Sequence, residues 1–233
     1  MFVLTFDTDW APQFVLDYVL ERVRECRVKA TVFCTSRYDF SSGVEIEAAI
    51  HPNFMSDSTQ GNVEEEVVRR LKSWWPDAVG SRSHGLFWHS GLYGILSRHG
   101  IRYDCSQFLP LHPGLEKVSH CGLERFPIWW TDGLHLHRGL PLERFNVPGM
   151  EAPGLKVLIF HPIHIYLNTK EAGGHKEAIR RAGPLREAAP KDLAPFRNEG
   201  FGVESLFVSA LEHIAARQKT CFLKELIHDH ATA

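Results

Sequence analysis

The stretch TFDTDW, Thr5–Trp10, ends the first apolar run of the chain with two aspartates separated by one threonine. A buried strand needs no carboxylate at its end. If Phe2–Thr8 is a strand, side-chain alternation sends Asp7 and Asp9 to one side at its C-terminal end. Carboxylates that close repel each other unless a cation or a shared proton intervenes. The plainer alternative is that Asp9 caps a helix beginning near Ala11–Pro12. The two readings stay open on this stretch alone.

Working outward, strands and helices alternate. Gln13–Cys26 has apolar residues at helical spacing, and Val28–Thr35 is β-branched and aromatic. Val44–Ile50 reads as a third strand ending in His51, and Asn62–Trp75 as a helix with Glu at its start and Lys/Arg near its end. Asp77–Ser83 predicts a short strand before His84-Gly85, and Ser90–His99 a helix stopped by Gly100. Ile101–Cys105, Leu123–Trp130 and Gly154–Phe160 read as further strands, and Val203–Arg217 as a last amphipathic helix. The polar segment 168–202 reads as a loop or short-helix excursion over one face. This alternation predicts an α/β fold with parallel strands. The first turn is FDTDWAP, where a doubly wound nucleotide-binding sheet would carry a glycine-rich phosphate loop, so barrel-like closure fits better.

The 233 residues suit one domain, 1–233, and 44% hydrophobic with 23% charged residues is ordinary for a globular protein. A formal net charge of −2 gives no basic field for nucleic acid. No apolar run approaches a membrane span and no signal peptide is evident, so the expected location is cytoplasmic. Five cysteines without a CxxC pair fit reduced thiols. Oligomeric state is not legible.

The predicted strand ends carry Asp7 and Asp9, then His51, then Arg82 and His84, then His161. In parallel α/β barrels the site forms at this end of the strands. One carboxylate and two imidazoles can hold a divalent ion and leave positions open, and such an ion lowers the pKa of water toward ~7 and polarises a carbonyl. The other carboxylate can accept the water's proton, and an imidazole across the site can protonate a leaving amine. Metal-assisted hydrolysis therefore explains the paired aspartates better than capping does.

TFDTDWAP, IHPNF, RSHGLF and FHPIHI, in that order between Phe2 and Ile165, resemble the blocks of the polysaccharide deacetylases (the NodB-homology group), and most closely their WbmS-like branch. The resemblance implies a distorted (β/α) barrel and removal of an N-acetyl group from a sugar or glycan precursor in surface-polysaccharide biosynthesis. It implies Asp7 as general base held by Arg82, His161 as general acid tuned by Asp132, and Asp9 and His51 as metal ligands. Zinc is the first expectation, with nickel, cobalt or iron also suited to the donors. Two departures stand out. The family's second motif places two histidines on one turn, whereas PNFMSD follows His51; and its arginine motif continues with proline, whereas this chain reads RSHG. His84 is therefore expected to supply the missing imidazole from a neighbouring strand end.

Trp10, Trp88 and Trp130 are the candidate sugar-facing rings. His89 and His99 are expected on helix faces. His164, three positions after His161, is expected on the opposite side of an extended strand, in a structural role. Two rivals accompany this reading: a metal-dependent amidohydrolase acting on a small non-glycan amide, and a non-catalytic carbohydrate-binding protein on the same scaffold.

Overall fold

The computed structural model describes residues 1–40, 43 and 45–227. Its first half runs β1 (Phe2–Asp7), α1 (Gln13–Glu25), β2 (Ala30–Cys34), β3 (Ile46–Ile50), α2 (Glu64–Trp74), β4 (Gly80–Ser81) and α3 (Leu92–Arg98). Then follow β5 (Tyr103–Asp104), β6 (Val118–His120), β7 (Leu123–Arg125), β8 (Ile128–Thr131), α4 (Asp132–His137), β9 (Lys156–Phe160) and α5 (Pro162–Tyr166). Two short helices, α6 (Lys176–Ala182) and α7 (Pro190–Leu193), lie in the 168–202 excursion, and α8 (Val203–Ala215) comes last. Val44, the expected start of the third strand, lies outside the described residues.

The strands form one sheet in the order β6-β7-β5-β4-β3-β2-β1-β9-β8, and each neighbouring pair is parallel except β6 with β7. Leu123–Trp130 is thus two strands rather than one. Phe126-Pro127 separates them, and proline has no N–H to give a ladder. Although β7 and β8 are consecutive in sequence, they belong to opposite flanks of the sheet, so the sheet must curl to bring those flanks together. The segment after β5 completes the curl: Ile128 N–H donates to the Gln107 carbonyl at 2.7 Å, and Leu109 N–H to that of Ile128 at 3.0 Å. The result is the expected distorted barrel.

Burial on both faces explains the unbroken apolar character of β1. Phe2, Leu4 and Phe6 point outward beneath α1 and α8, in a core with Leu16, Leu20, Leu206 and Phe207. Val3, Thr5 and Asp7 therefore point inward. The barrel floor is polar but satisfied: Glu47 accepts from Thr31 Oγ1 at 2.7 Å, Tyr103 OH at 2.8 Å and the Lys224 N–H at 3.1 Å. The last of these bonds ties residues 223–226 to the barrel as a plug. Gly80 is required here, because a Cβ on it would lie 1.9 Å from Cζ of Tyr103.

Candidate active site

Strand β1 ends at Asp7, and a turn rather than continued alternation places Asp9. Thr35 pins that turn: its N–H donates to Thr8 Oγ1 at 2.9 Å, and its Oγ1 accepts from the Trp10 N–H at 3.0 Å. Asp9 and Trp10 both adopt left-handed backbone, φ 40° and 58°. Such conformations cost roughly 1–3 kcal/mol each in non-glycine residues and persist where surroundings enforce them, commonly at functional sites. Asp9 is no helix cap, since the residue preceding α1 is Pro12 and no side chain caps that helix.

Arg82, just beyond β4, is fully buried and crosses the barrel interior. Its Nη1 donates to Asp7 Oδ1 at 2.7 Å and Thr5 Oγ1 at 2.9 Å, its Nε to the Cys105 carbonyl at 2.9 Å, and its Nη2 to Cys105 Sγ at 3.0 Å. Burial opposes its charge, but Asp7 overrides this and holds the guanidinium protonated more firmly than usual. Asp7 is thereby fixed through one oxygen.

Asp9 sits between imidazoles. Its Oδ1 is 3.2 Å from His51 Nε2 and 3.1 Å from His84 Nδ1. His51 Nδ1 lies 2.6 Å from the Arg82 carbonyl, which can only accept, so Nδ1 carries the hydrogen. In a neutral His51 the Nε2 lone pair then faces a carboxylate oxygen. Two acceptors in contact call for a proton or a cation between them. Burial disfavours the Asp9 anion, yet hydrogen bonding with His51 and His84 and the charge of His161 hold its carboxyl well below the usual range. Burial likewise works against a proton on His84, and Asp9 reverses the balance, raising its pKa. One donor atom from each of Asp9, His51 and His84 lies within 4.8 Å of the others, a donor set that fits a divalent ion.

Opposite this trio stands His161. Its Nδ1 donates to Asp132 Oδ1 at 2.6 Å, its backbone N–H donates to Asp132 Oδ2 at 2.7 Å, and its Nε2 is 3.6 Å from Asp9 Oδ2. Burial works against a charged His161, but the fully buried Asp132 outweighs it and pushes the pKa up to about 10. Asp132 itself is held far below the carboxylate range, burial notwithstanding, by His161 and His164.

The expectations for the remaining residues divide. Trp10 borders a cleft of about 1060 Å³ together with Asp9, His84, Met55, Leu185 and Arg186, and its ring meets His84 edge-on at 5.1 Å. Trp88 instead packs on Tyr93 and beneath Arg125, outside that cleft's lining. Trp130 is buried against Phe145 and Phe160, where no sugar can reach it. His89 and His99 pair with Glu64 and Glu65. His164 is a correction: the chain turns helical after His161, so residues three apart share a face, and His164 Nδ1 lies 3.3 Å from Asp132 Oδ2. Sequence reading also missed Gln60, which donates to the His51 and Thr35 carbonyls and so steadies the His51 strand end. A lone glutamine nine positions downstream carries no signal of that role.

The family model for WbmS-like polysaccharide deacetylases matches residues 4–178. The chain belongs to that family. Its fold superposes on WbmS of Bordetella bronchiseptica, assigned as a polysaccharide deacetylase involved in O-antigen biosynthesis, with a TM-score of 0.80 at 26% identity over 91% of this chain and 90% of that one. A protein from Mycobacterium smegmatis assigned to the polysaccharide deacetylases aligns over 95% and 93% of the two chains at 15% identity, with a TM-score of 0.46 that carries no further argument. No curated protein matches the chain in sequence. Among the described residues no helix is long and apolar enough to cross a membrane.

Proposed function

We propose that the protein is a metal-dependent deacetylase that hydrolyses the N-acetyl group of a sugar or glycan precursor in surface-polysaccharide assembly. The observation that carries the reading is Asp9 Oδ1 flanked at 3.2 and 3.1 Å by two imidazole nitrogens, beside a separately anchored Asp7 and an Asp132-backed His161. Family membership supports the reaction class, and the O-antigen assignment of WbmS supports the setting.

Asp9, His51 and His84 would hold the ion, with zinc first among metals suited to one carboxylate and two imidazoles. A divalent ion supplies a polarised acetamide carbonyl and a lowered pKa for the attacking water. The chain supplies the rest. Arg82 occupies Oδ1 of Asp7, which leaves Oδ2 to take the proton from water as it adds to the carbonyl. His161 holds a proton on Nε2 at neutral pH and delivers it to the amine nitrogen as the C–N bond breaks. Asp132 keeps that imidazole oriented and compensates its charge. Trp10 offers an aromatic face at the cleft rim for a sugar ring.

The test is acetate release from N-acetylated monosaccharides, sugar nucleotides and oligosaccharides, before and after chelation and after metal readdition. Release that is abolished by chelator and restored by metal supports the reading. Turnover confined to non-sugar amides, or metal binding without turnover of any acylated compound, refutes it.

A further inference from the structure

Asp132 has more partners than a single histidine requires. Oδ1 accepts from His161 Nδ1 and, at 2.7 Å, from the Gly133 N–H. Oδ2 accepts from the His161 backbone and lies 3.3 Å from His164 Nδ1, a buried nitrogen in ion-pair contact with it that makes no aligned hydrogen bond among the described residues. Behind it, His164 Nε2 lies 3.1 Å from His175 Nδ1, with the two rings 4.5 Å apart.

The acceptors dictate the protons. A carboxylate only accepts, so the His164 nitrogen facing Asp132 must carry hydrogen. In a neutral imidazole the other nitrogen then accepts, so His175 Nδ1 donates to it. His175 thus selects the His164 tautomer. Without it, His164 could move its hydrogen to Nε2 and turn a lone pair toward the Asp132 carboxylate. Burial, with the charge of His161 nearby, pushes the His175 pKa down, which keeps that ring neutral.

We propose that His164 and His175 are positioning residues for the deacetylation: His164 steadies the second oxygen of Asp132, and His175, from the 168–202 excursion, fixes the tautomer that lets it do so. The proposal rests on the assignment of His161 as proton donor. The excursion that carries His175 also contributes Ile179, Leu185 and Arg186 to the cleft wall, so this ladder links the wall to the acid.

Amide side chains test it atom by atom. Asparagine places its amide nitrogen near the position of histidine Nδ1, whereas glutamine reaches toward Nε2. In H164Q and H175A the kcat for acetate release from UDP-N-acetylglucosamine or diacetylchitobiose should fall about tenfold, with KM within about twofold and metal content unchanged. H164N and H175N should stay within about threefold of the parent enzyme, because both keep the required donor. H164N/H175A should be no worse than H164N, since an amide has no tautomer to lose. A second readout needs no turnover: the downfield Nδ1 proton of His161, seen by proton NMR, should move in H164Q and H175A and stay put in the two asparagine variants.

Parental kcat in H164Q and H175A with an unmoved resonance overturns the proposal. Equal losses in the glutamine, alanine and asparagine variants, in step with a lowered melting temperature, also overturn it, by showing a packing role. A resonance that follows the predicted pattern in a protein releasing no acetate from any N-acetylated sugar upholds the positioning role and refutes the deacetylase reading instead.

Discussion

Replacing Arg82 with methionine separates the two things Arg82 is placed to do. The side chain is wholly buried and spends its donors on Asp7, Thr5 and both the carbonyl and the sulfur of Cys105. Methionine has similar length and would lie over the Phe33 ring, where the guanidinium now sits 4.0 Å from the centroid. It leaves Asp7, itself almost fully buried, with an uncompensated charge. Removing one partner of a buried ion pair costs about 3–5 kcal/mol. At roughly 2–4 °C per kcal/mol for a chain of this size, the melting temperature should drop by about 6–20 °C. In the D7N background the same substitution should cost at least ~1 kcal/mol less, because a neutral amide needs no counter-charge. Thermal and urea unfolding of the four proteins of this cycle give the coupling directly. Activity should part company with stability: D7N/R82M regains stability over R82M but, on the proposed role of Asp7 as base, no turnover, since an amide cannot accept the proton. An R82M penalty equal in the parent and D7N backgrounds would refute the ion-pair reasoning.

Other expectations follow from the same geometry. Gly80→Ala forces a Cβ into the buried Tyr103 ring and should destabilise by ~1–3 kcal/mol or more in urea unfolding, with Glu47 and the 223–226 plug disturbed in turn. Asp132→Asn removes the charge that keeps His161 protonated up to about pH 10, so the alkaline limb of the kcat–pH profile should move to lower pH; the acid form is lost as pH rises through the folded pKa, and that pKa falls without Asp132. Trp10→Ala should raise KM for sugar substrates more than it lowers kcat, whereas Trp88→Leu, remote from the cleft lining, should leave KM unchanged.

Much of this was legible in the sequence because strand ends announce themselves. An apolar run that stops at a charged or imidazole residue marks both the strand and its exposed mouth, which located Asp7, His51, His84 and His161 together. The position of His84 was legible for the same reason: it follows the neighbouring strand, and its Nδ1 lies beside Asp9 Oδ1 as His51 Nε2 does. Other features lacked such a mark. The alternation assumed through Thr8 breaks at two left-handed residues; aspartate tolerates that conformation, but nothing about Trp10 signals it. The split at Phe126-Pro127 depends on barrel closure, a long-range event that composition does not encode. Trp130 and Trp88 are aromatic in either setting, and only their neighbours decide between packing and display. His164 was misplaced because an extended period of two was carried past a proline that instead begins a helix.

The central claim is that Asp9, His51 and His84 share one divalent ion. An anomalous difference map from zinc-loaded crystals, collected on either side of the zinc edge, tests it most directly. The account predicts one strong peak bonded by Asp9 Oδ1, His51 Nε2 and His84 Nδ1, and its loss in D9A. A peak instead among Asp132, His161 and His164, the second group of possible ligands among the described residues, or an undiminished peak in H84A, would contradict it.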